Sequence, residues 1–299
     1  MSDNPVNAVA SLAEAERTRN YQEQIEQERA QRIALHKQAI AAHKFALAAA
    51  TETLQPLNIF ADGDSWFDYP LPPFGRNDVI VSLTNHGRPQ PLILNLAHHG
   101  DEARDDLGVA QRLRIIQNLT DPENGTFDAI LFSGGGNDTV GNQFCLWLHD
   151  YVYGMTPSQG INVPRLGSVL GVVRSAYEDL IAVRDKFARQ CPVFFHGYDF
   201  AIPTGKGVCS FGPWLKPSLD FRGWNVPDTA TQVVKEFLLQ FHNMLTQVAA
   251  DNDNVIYVQT QGTLISSDWD NELHPTSGGF DKVAVKFRTA LQAKFPGRI

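Results

Sequence analysis

Cysteine is scarce in this chain: Cys145, Cys191 and Cys209 are the only three in 299 residues. An odd number at wide spacing forms neither a CxxC pair nor the dense framework of a disulfide-stapled secreted domain. The three are expected to be buried thiols in a reducing compartment. Positive charge is also short, with 25 Lys and Arg against 33 Asp and Glu and a formal net charge of -8. That balance leaves no electrostatic footprint for a phosphate backbone, and nucleic acid is not an expected partner. No apolar run approaches the length that crosses a bilayer, and the opening MSDNPVNAVASLAEAERTRN lacks a basic segment followed by an apolar one. A cytoplasmic location is the expectation. Residues 8–53, finally, lack both Gly and Pro.

What is present is a globular composition, 43% hydrophobic and 10% aromatic, long enough for one sizeable core plus an appendage. The Gly- and Pro-free block, rich in Ala, Glu, Gln and Arg, predicts one long helix or two shorter ones. Its apolar positions Tyr21, Ile25, Ile33, Ile40, Phe45 and Leu47 are only partly at helical spacing, and His36 and His43 stand where a coiled-coil seam would want Leu. This helical extension, over 1–55, either lies against the main domain or mediates self-association. The main domain spans 56–299.

From Pro56 the pattern changes to short apolar runs: Leu57 to Ala61, Pro91 to Ala97, Phe127 to Ser133, Pro192 to Gly197 and Asn254 to Gln259. Each is continuously apolar rather than alternating, which describes strands covered on both faces and hence a parallel sheet between helices. Helical patterns lie around 102–119, 166–190, 228–250 and 276–294. The expected fold is α/β, a three-layer α/β/α sandwich. In such a sheet the loops leaving the carboxyl ends of the strands gather at one edge, so chemistry is sought just after each run.

Gly63-Asp64-Ser65-Trp66-Phe67 follows the first run and places a serine at a strand-to-helix junction, with Oγ presented at the sheet edge. Phe67 stands where a GxSxG elbow has its second glycine, and such a serine also serves in turns and helix caps. His98-His99-Gly100-Asp101 follows the second run and Gly134-Gly135-Gly136-Asn137-Asp138 the third. A glycine just past a strand offers an unobstructed backbone N–H, and an asparagine amide donates from its side chain, so Gly100 and Asn137 suit an oxyanion hole. Asn137 and Asp138 could instead cap a helix. Near the C-terminus His274 stands between Pro275 and a cluster of Asp268, Asp270, Asn271 and Glu272, where it could take the Ser65 proton as general base. His98, His99, His149 and His196 show no metal-ligand spacing, and neither a metal nor an organic cofactor is expected.

These blocks, in this order at the ends of successive predicted strands, resemble the SGNH hydrolases, or GDSL lipase/esterase family, over about residues 57–295. The resemblance implies a flavodoxin-like sheet of five parallel strands, with Ser65 as nucleophile and His274 as base. It implies an oxyanion hole made by the Ser65 and Gly100 backbone N–H groups and the Asn137 side chain. The implied activity is an esterase or lipase acting on a small-molecule ester through an acyl-enzyme. The chain departs from the family pattern where an aspartate usually stands three residues before the histidine: here that residue is Asn271. An amide oxygen can still accept from the imidazole but supplies no full charge. Asp268 is the preferred carboxylate to orient His274; Asp270, Glu272, Asn271 itself and a backbone carbonyl are the alternatives. Trp66 and Asp138, beside Ser65 and Asn137, are candidates to touch substrate. Segments 140–165 and 198–224, the second with Phe200, Phe211, Trp214 and Trp224, either rim the pocket or pack in the core. Two other functions stay open: an O-acyltransferase that passes the acyl group to a sugar hydroxyl, and a binding or scaffold protein with a vestigial site, which Asn271 would suit.

Overall fold

The structure, a computed structural model, describes residues 5–49, 55–71, 75–103, 108–208 and 212–299. Each of the apolar runs forms a strand: β1 (Asn58–Gly63), β4 (Leu92–Asn95), β5 (Ala129–Ser133), β6 (Val193–His196) and β7 (Val255–Val258). They pair in parallel in the order β4-β1-β5-β6-β7, the flavodoxin arrangement, in which the first strand sits inside the second. β1 is buried along its whole length, with Ile59 between Ile93 and Ala129. That is the environment a continuously apolar strand requires. A short antiparallel pair, β2 (Pro70–Leu71) and β3 (Gly75–Arg76), follows the nucleophile turn.

Helices cover both faces. α2 (Val79–His86) packs against α8 (Ser277–Lys294), while α3 (Val109–Thr120), α5 (Val163–Phe187) and α7 (Pro227–Asp251) pack side by side to make the other layer. The three longest of these fall within a few residues of the sequence expectation. α3 begins at Val109 rather than near 102, and part of the intervening chain lies outside the described residues. Two short helices, α4 (Gly136–Thr139) and α6 (Lys216–Phe221), sit in the loops at the carboxyl edge. Periodicity did not anticipate them or α2, because segments of four to eight residues are too short to carry a helical repeat.

The Gly- and Pro-free block is one continuous helix, α1 (Pro5–Ala48). Its second half lies against the domain, covering the edge strand β4 and burying Arg29, His36 and Ile40. The His36 ring stacks on Phe127 at 5.7 Å, and burial lowers its pKa. Arg29 donates to the Leu96 carbonyl (3.1 Å) and to Asp101 (2.6 Å); Arg32 donates to the Ala97 carbonyl (2.9 Å) and to Asp68 (2.8 Å). The helix therefore satisfies carbonyls at the end of β4 with guanidiniums, which also protects an otherwise open sheet edge.

Cys191 is buried, with its thiol pushed up to about 12 by burial, but Cys145 is only partly buried, and Cys209 and Phe211 lie outside the described residues. Among the described residues no helix is long and apolar enough to cross a membrane.

The turn out of β1 depends on Gly63. Its φ is +130°, and a Cβ there would stand 1.9 Å from the Ser133 carbonyl oxygen of the neighbouring strand. Gly63→Ala is expected to destabilise the protein by about 3 kcal/mol or more, measured as a lower urea midpoint at unchanged slope.

Candidate active site

β1 and β5 are adjacent at the point where the sheet order reverses, so the turns leaving them open a crevice at the carboxyl edge. Ser65 sits in the first turn. Its Oγ lies 2.8 Å from His274 Nε2, which arrives from the loop just before α8 across 209 residues of sequence. Both residues are buried. Thr276 caps α8 by accepting from Gly279 N (3.2 Å), and the Thr276 N–H donates to the Asp268 carbonyl (2.7 Å). These contacts fold residues 268–276 back on themselves and fix the backbone at His274.

The other imidazole nitrogen, Nδ1, is 3.0 Å from Asn271 Oδ1. That oxygen also accepts the backbone N–H groups of Leu273 and His274, each at 3.0 Å, while Asn271 Nδ2 donates to Tyr69 OH at 2.9 Å. The amide orientation is thus fixed by three independent bonds. An acceptor at Nδ1 requires the proton to sit there, which leaves the Nε2 lone pair facing the Ser65 hydroxyl. The Tyr69 ring stacks on the imidazole at 4.2 Å and 17°, and Trp214 meets it edge-on at 5.8 Å. Burial pushes the His274 pKa down to about 3; the Asp270 charge works in the opposite direction.

Asp268, the carboxylate preferred from the sequence as the partner of His274, is engaged elsewhere. Both its oxygens accept from Lys282 Nζ at 2.7 Å, and Oδ2 also accepts the Ile265 N–H at 2.9 Å. The loop does fold back, but the Asp268 carbonyl receives the Thr276 N–H and its side chain turns out to Lys282 on α8. Asp270 pairs with Lys206 at 3.0 Å.

Beneath Ser65 lies a second buried network that the sequence reading did not foresee. Asp64 accepts from Ser133 Oγ (2.7 Å), the Trp66 N–H (3.0 Å) and Tyr198 OH (2.5 Å), and Tyr198 OH accepts the Gly136 N–H (2.9 Å). Ser133 Oγ in turn meets His196 Nε2 at 3.0 Å, while His196 Nδ1 accepts the Tyr198 N–H at 3.2 Å. Tyr198 holds the left-handed region at φ 59°, a conformation rare for a bulky residue and fixed here by both ends of the network. Burial pushes Asp64 up to about 6 and His196 down to about 3. The network ties the turns after β1, β5 and β6 together.

The expected oxyanion donors come from two of these turns and the one after β4. Asn137 Nδ2 donates one hydrogen to the Asp101 carbonyl at 2.7 Å, which links its turn to that of Gly100 and leaves the second amide hydrogen for another acceptor. Among the described residues the Ser65 and Gly100 N–H groups donate to no protein acceptor. Ser65, Asn137 and His274 line one cavity of about 530 Å³, its open mouth included; Gly100 does not line it. Val140, Leu215 and, on α7, Val234, Phe237, Leu238 and Phe241 give it an apolar wall. The sequence reading missed the α7 wall, since these residues read only as the buried face of a helix. Trp66 lines the cavity and donates to the Leu273 carbonyl at 3.1 Å, clamping the nucleophile turn to the His274 loop. Asp138 does not line it; its carboxylate accepts the Ala103 N–H at 2.6 Å.

No protein-family model matches the chain, and no curated protein does. Solved structures do. A lipase from a goat rumen metagenome is 15% identical, with 80% of this chain and 97% of that one covered at a TM-score of 0.49. An extracellular lipase from Streptomyces rimosus is 17% identical, with 78% and 98% covered at 0.48. Phospholipase A1 from Streptomyces albidoflavus is 14% identical, with 77% and 98% covered at 0.46. With TM-scores below 0.5, none of these likenesses bears on what the site does.

Glu272, between Asn271 and Leu273, is fully buried and accepts four backbone N–H groups: Gly205 (2.8 Å), Trp214 (2.6 Å), Leu215 (2.7 Å) and Lys216 (3.1 Å). It fixes the segment that carries Trp214 and Leu215 against the His274 loop. Glu272→Gln replaces an acceptor oxygen with a donor NH2 facing those N–H groups. A loss of about 2–4 kcal/mol is expected, checked by thermal denaturation.

Proposed function

We propose that the protein is a serine esterase whose nucleophile is Ser65 and whose general base is His274, held by Asn271. The observation that carries this reading is the 2.8 Å contact of Ser65 Oγ with an imidazole whose tautomer is imposed by the Asn271 amide. The Ser65 hydroxyl attacks the ester carbonyl as its proton passes to His274 Nε2. Negative charge on the carbonyl oxygen meets the Ser65 N–H group and the second amide hydrogen of Asn137; the Gly100 N–H, on the turn that Asn137 ties down, stands outside the cavity lining. The imidazolium then returns its proton to the leaving alcohol, and water repeats the sequence to release the acid from the acyl-enzyme. The apolar wall of Val140, Leu215, Val234, Phe237 and Phe241 supports an ester whose acyl group is hydrocarbon in character.

Asn271 gives this base a particular character. It orients the ring but places no full charge behind the imidazolium, and burial disfavours that cation further. The ring is consequently a neutral acceptor at every pH above about 4, and a weak one.

Ser65→Ala is expected to lower kcat by at least about 10⁴-fold on a graded series of p-nitrophenyl esters from acetate upwards. Persistence of turnover in that variant would remove Ser65 as the nucleophile. Sugar alcohols added to the wild-type assay should leave free-acid release unchanged; diversion of the acyl group to the sugar would mark an acyltransferase.

Asn271→Asp adds the missing charge and raises the His274 pKa. The acid limb of kcat/KM, at about pH 3 in the wild type, is expected to move up by several pH units, with kcat about tenfold higher or more. Asp268→Asn, measured in the same way, should keep the wild-type profile.

A further inference from the structure

The turn after β4 stacks the rings of His98 and His99, 4.2 Å apart at 29°. Asp68, three residues past Ser65, reaches the same place. One ring nitrogen of each histidine and one Asp68 oxygen all lie within 4.8 Å of one another. Asp68 stands 30 residues before the pair (98 − 68), so no local spacing in the sequence discloses the set.

The contact between His99 Nδ1 and Asp68 Oδ2 is informative. At 3.7 Å it is too long for a hydrogen bond, yet Nδ1 is buried without a hydrogen-bond partner. Two ligands of a tetrahedral zinc ion, each at about 2.1 Å, stand about 3.4 Å apart, so a cation between these atoms would give His99 Nδ1 a partner after a small adjustment. The other Asp68 oxygen accepts from Arg32 at 2.8 Å, which orients the carboxylate as an outer partner does at a metal centre.

We propose that Asp68, His98 and His99 form a binding site for a divalent transition metal of the zinc class, with solvent completing the coordination. Two imidazoles and one carboxylate suit zinc, cobalt or nickel rather than calcium or magnesium, which take oxygen ligands. The site bridges the turn of Ser65 to the turn of Gly100, so a bound ion would fix their separation. Binding itself does not rest on Ser65 being a nucleophile.

The test is a Co2+ titration followed by visible absorption, with Zn2+ then added to displace the probe. The proteins are the wild type, Ser65→Ala, His274→Ala, His99→Ala and Asp68→Asn. One equivalent is expected to bind the first three and to be displaced by zinc. Asp68→Asn and His99→Ala should each bind more than about 100-fold more weakly, beyond what losing an outer partner costs. The His99 side chain is 41% exposed, so His99→Ala decides the matter even where Asp68→Asn fails to fold. Absence of Co2+ absorption in the wild type, or undiminished absorption in His99→Ala, overturns the proposal. So does loss of binding in His274→Ala alone, which would put the ion on the Ser65–His274 pair.

Discussion

Buried carboxylates that collect donors from several loops hold the carboxyl edge of the sheet in place. Asp64 takes two hydroxyls and a backbone N–H, Asp199 takes the N–H groups of Phe200, Gly262, Thr263 and Leu264, and Glu272 takes those of Gly205, Trp214, Leu215 and Lys216. Loops at this edge have no ladder or helix to satisfy their N–H groups, and orphaned buried donors are costly. A carboxylate offers enough lone pairs to satisfy four donors at once, so one side chain fixes several turns. Ser65, Asn137 and His274 sit on turns fixed in this way, and their mutual geometry follows from it.

The same edge explains why an amide behind His274 is physically reasonable. Asp64, Asp199 and Glu272 are already buried acidic side chains nearby, and another one would need further compensation for its desolvation. Asn271 fixes the imidazole tautomer through a hydrogen bond alone, while Tyr69 holds both the amide and the ring plane. Orientation is kept in full; the electrostatic support for an imidazolium is reduced. The arrangement separates two roles that a carboxylate combines.

α1 shows how a helix can be integral to a domain without an apolar stripe. Arg29 and Arg32 reach carbonyls and carboxylates around the end of β4, and His36 stacks on Phe127 just before β5. Hydrophobic spacing reads such a face as solvated. The two histidines that spoke against a coiled coil are explained in part: His36 packs inward, on the same side as Ile40.

The sequence by itself determined the strands, most of the long helices and the α/β/α layering, and it picked out Ser65, Trp66, Asn137 and His274, which line one crevice, though not the places of Gly100, Asp138 or Asp268. These rest on local signals: continuous apolar runs, helical periodicity, and glycine, serine, asparagine and histidine placed just past strands. Only the tertiary structure decided what each polar side chain touches. Asp268, Asp270, Asn271 and Glu272 are crowded into one short loop, yet their partners are Lys282, Lys206, His274 with Tyr69, and the backbone of Gly205, Trp214, Leu215 and Lys216. Neighbouring residues in an irregular loop point in unrelated directions, set by where the chain turns rather than by any repeat. The α7 wall of the cavity and the meeting of Asp68 with His98 and His99 are of the same kind. Burial and periodicity are written locally, whereas a hydrogen bond is chosen by whichever distant donor the finished packing brings within about 3 Å.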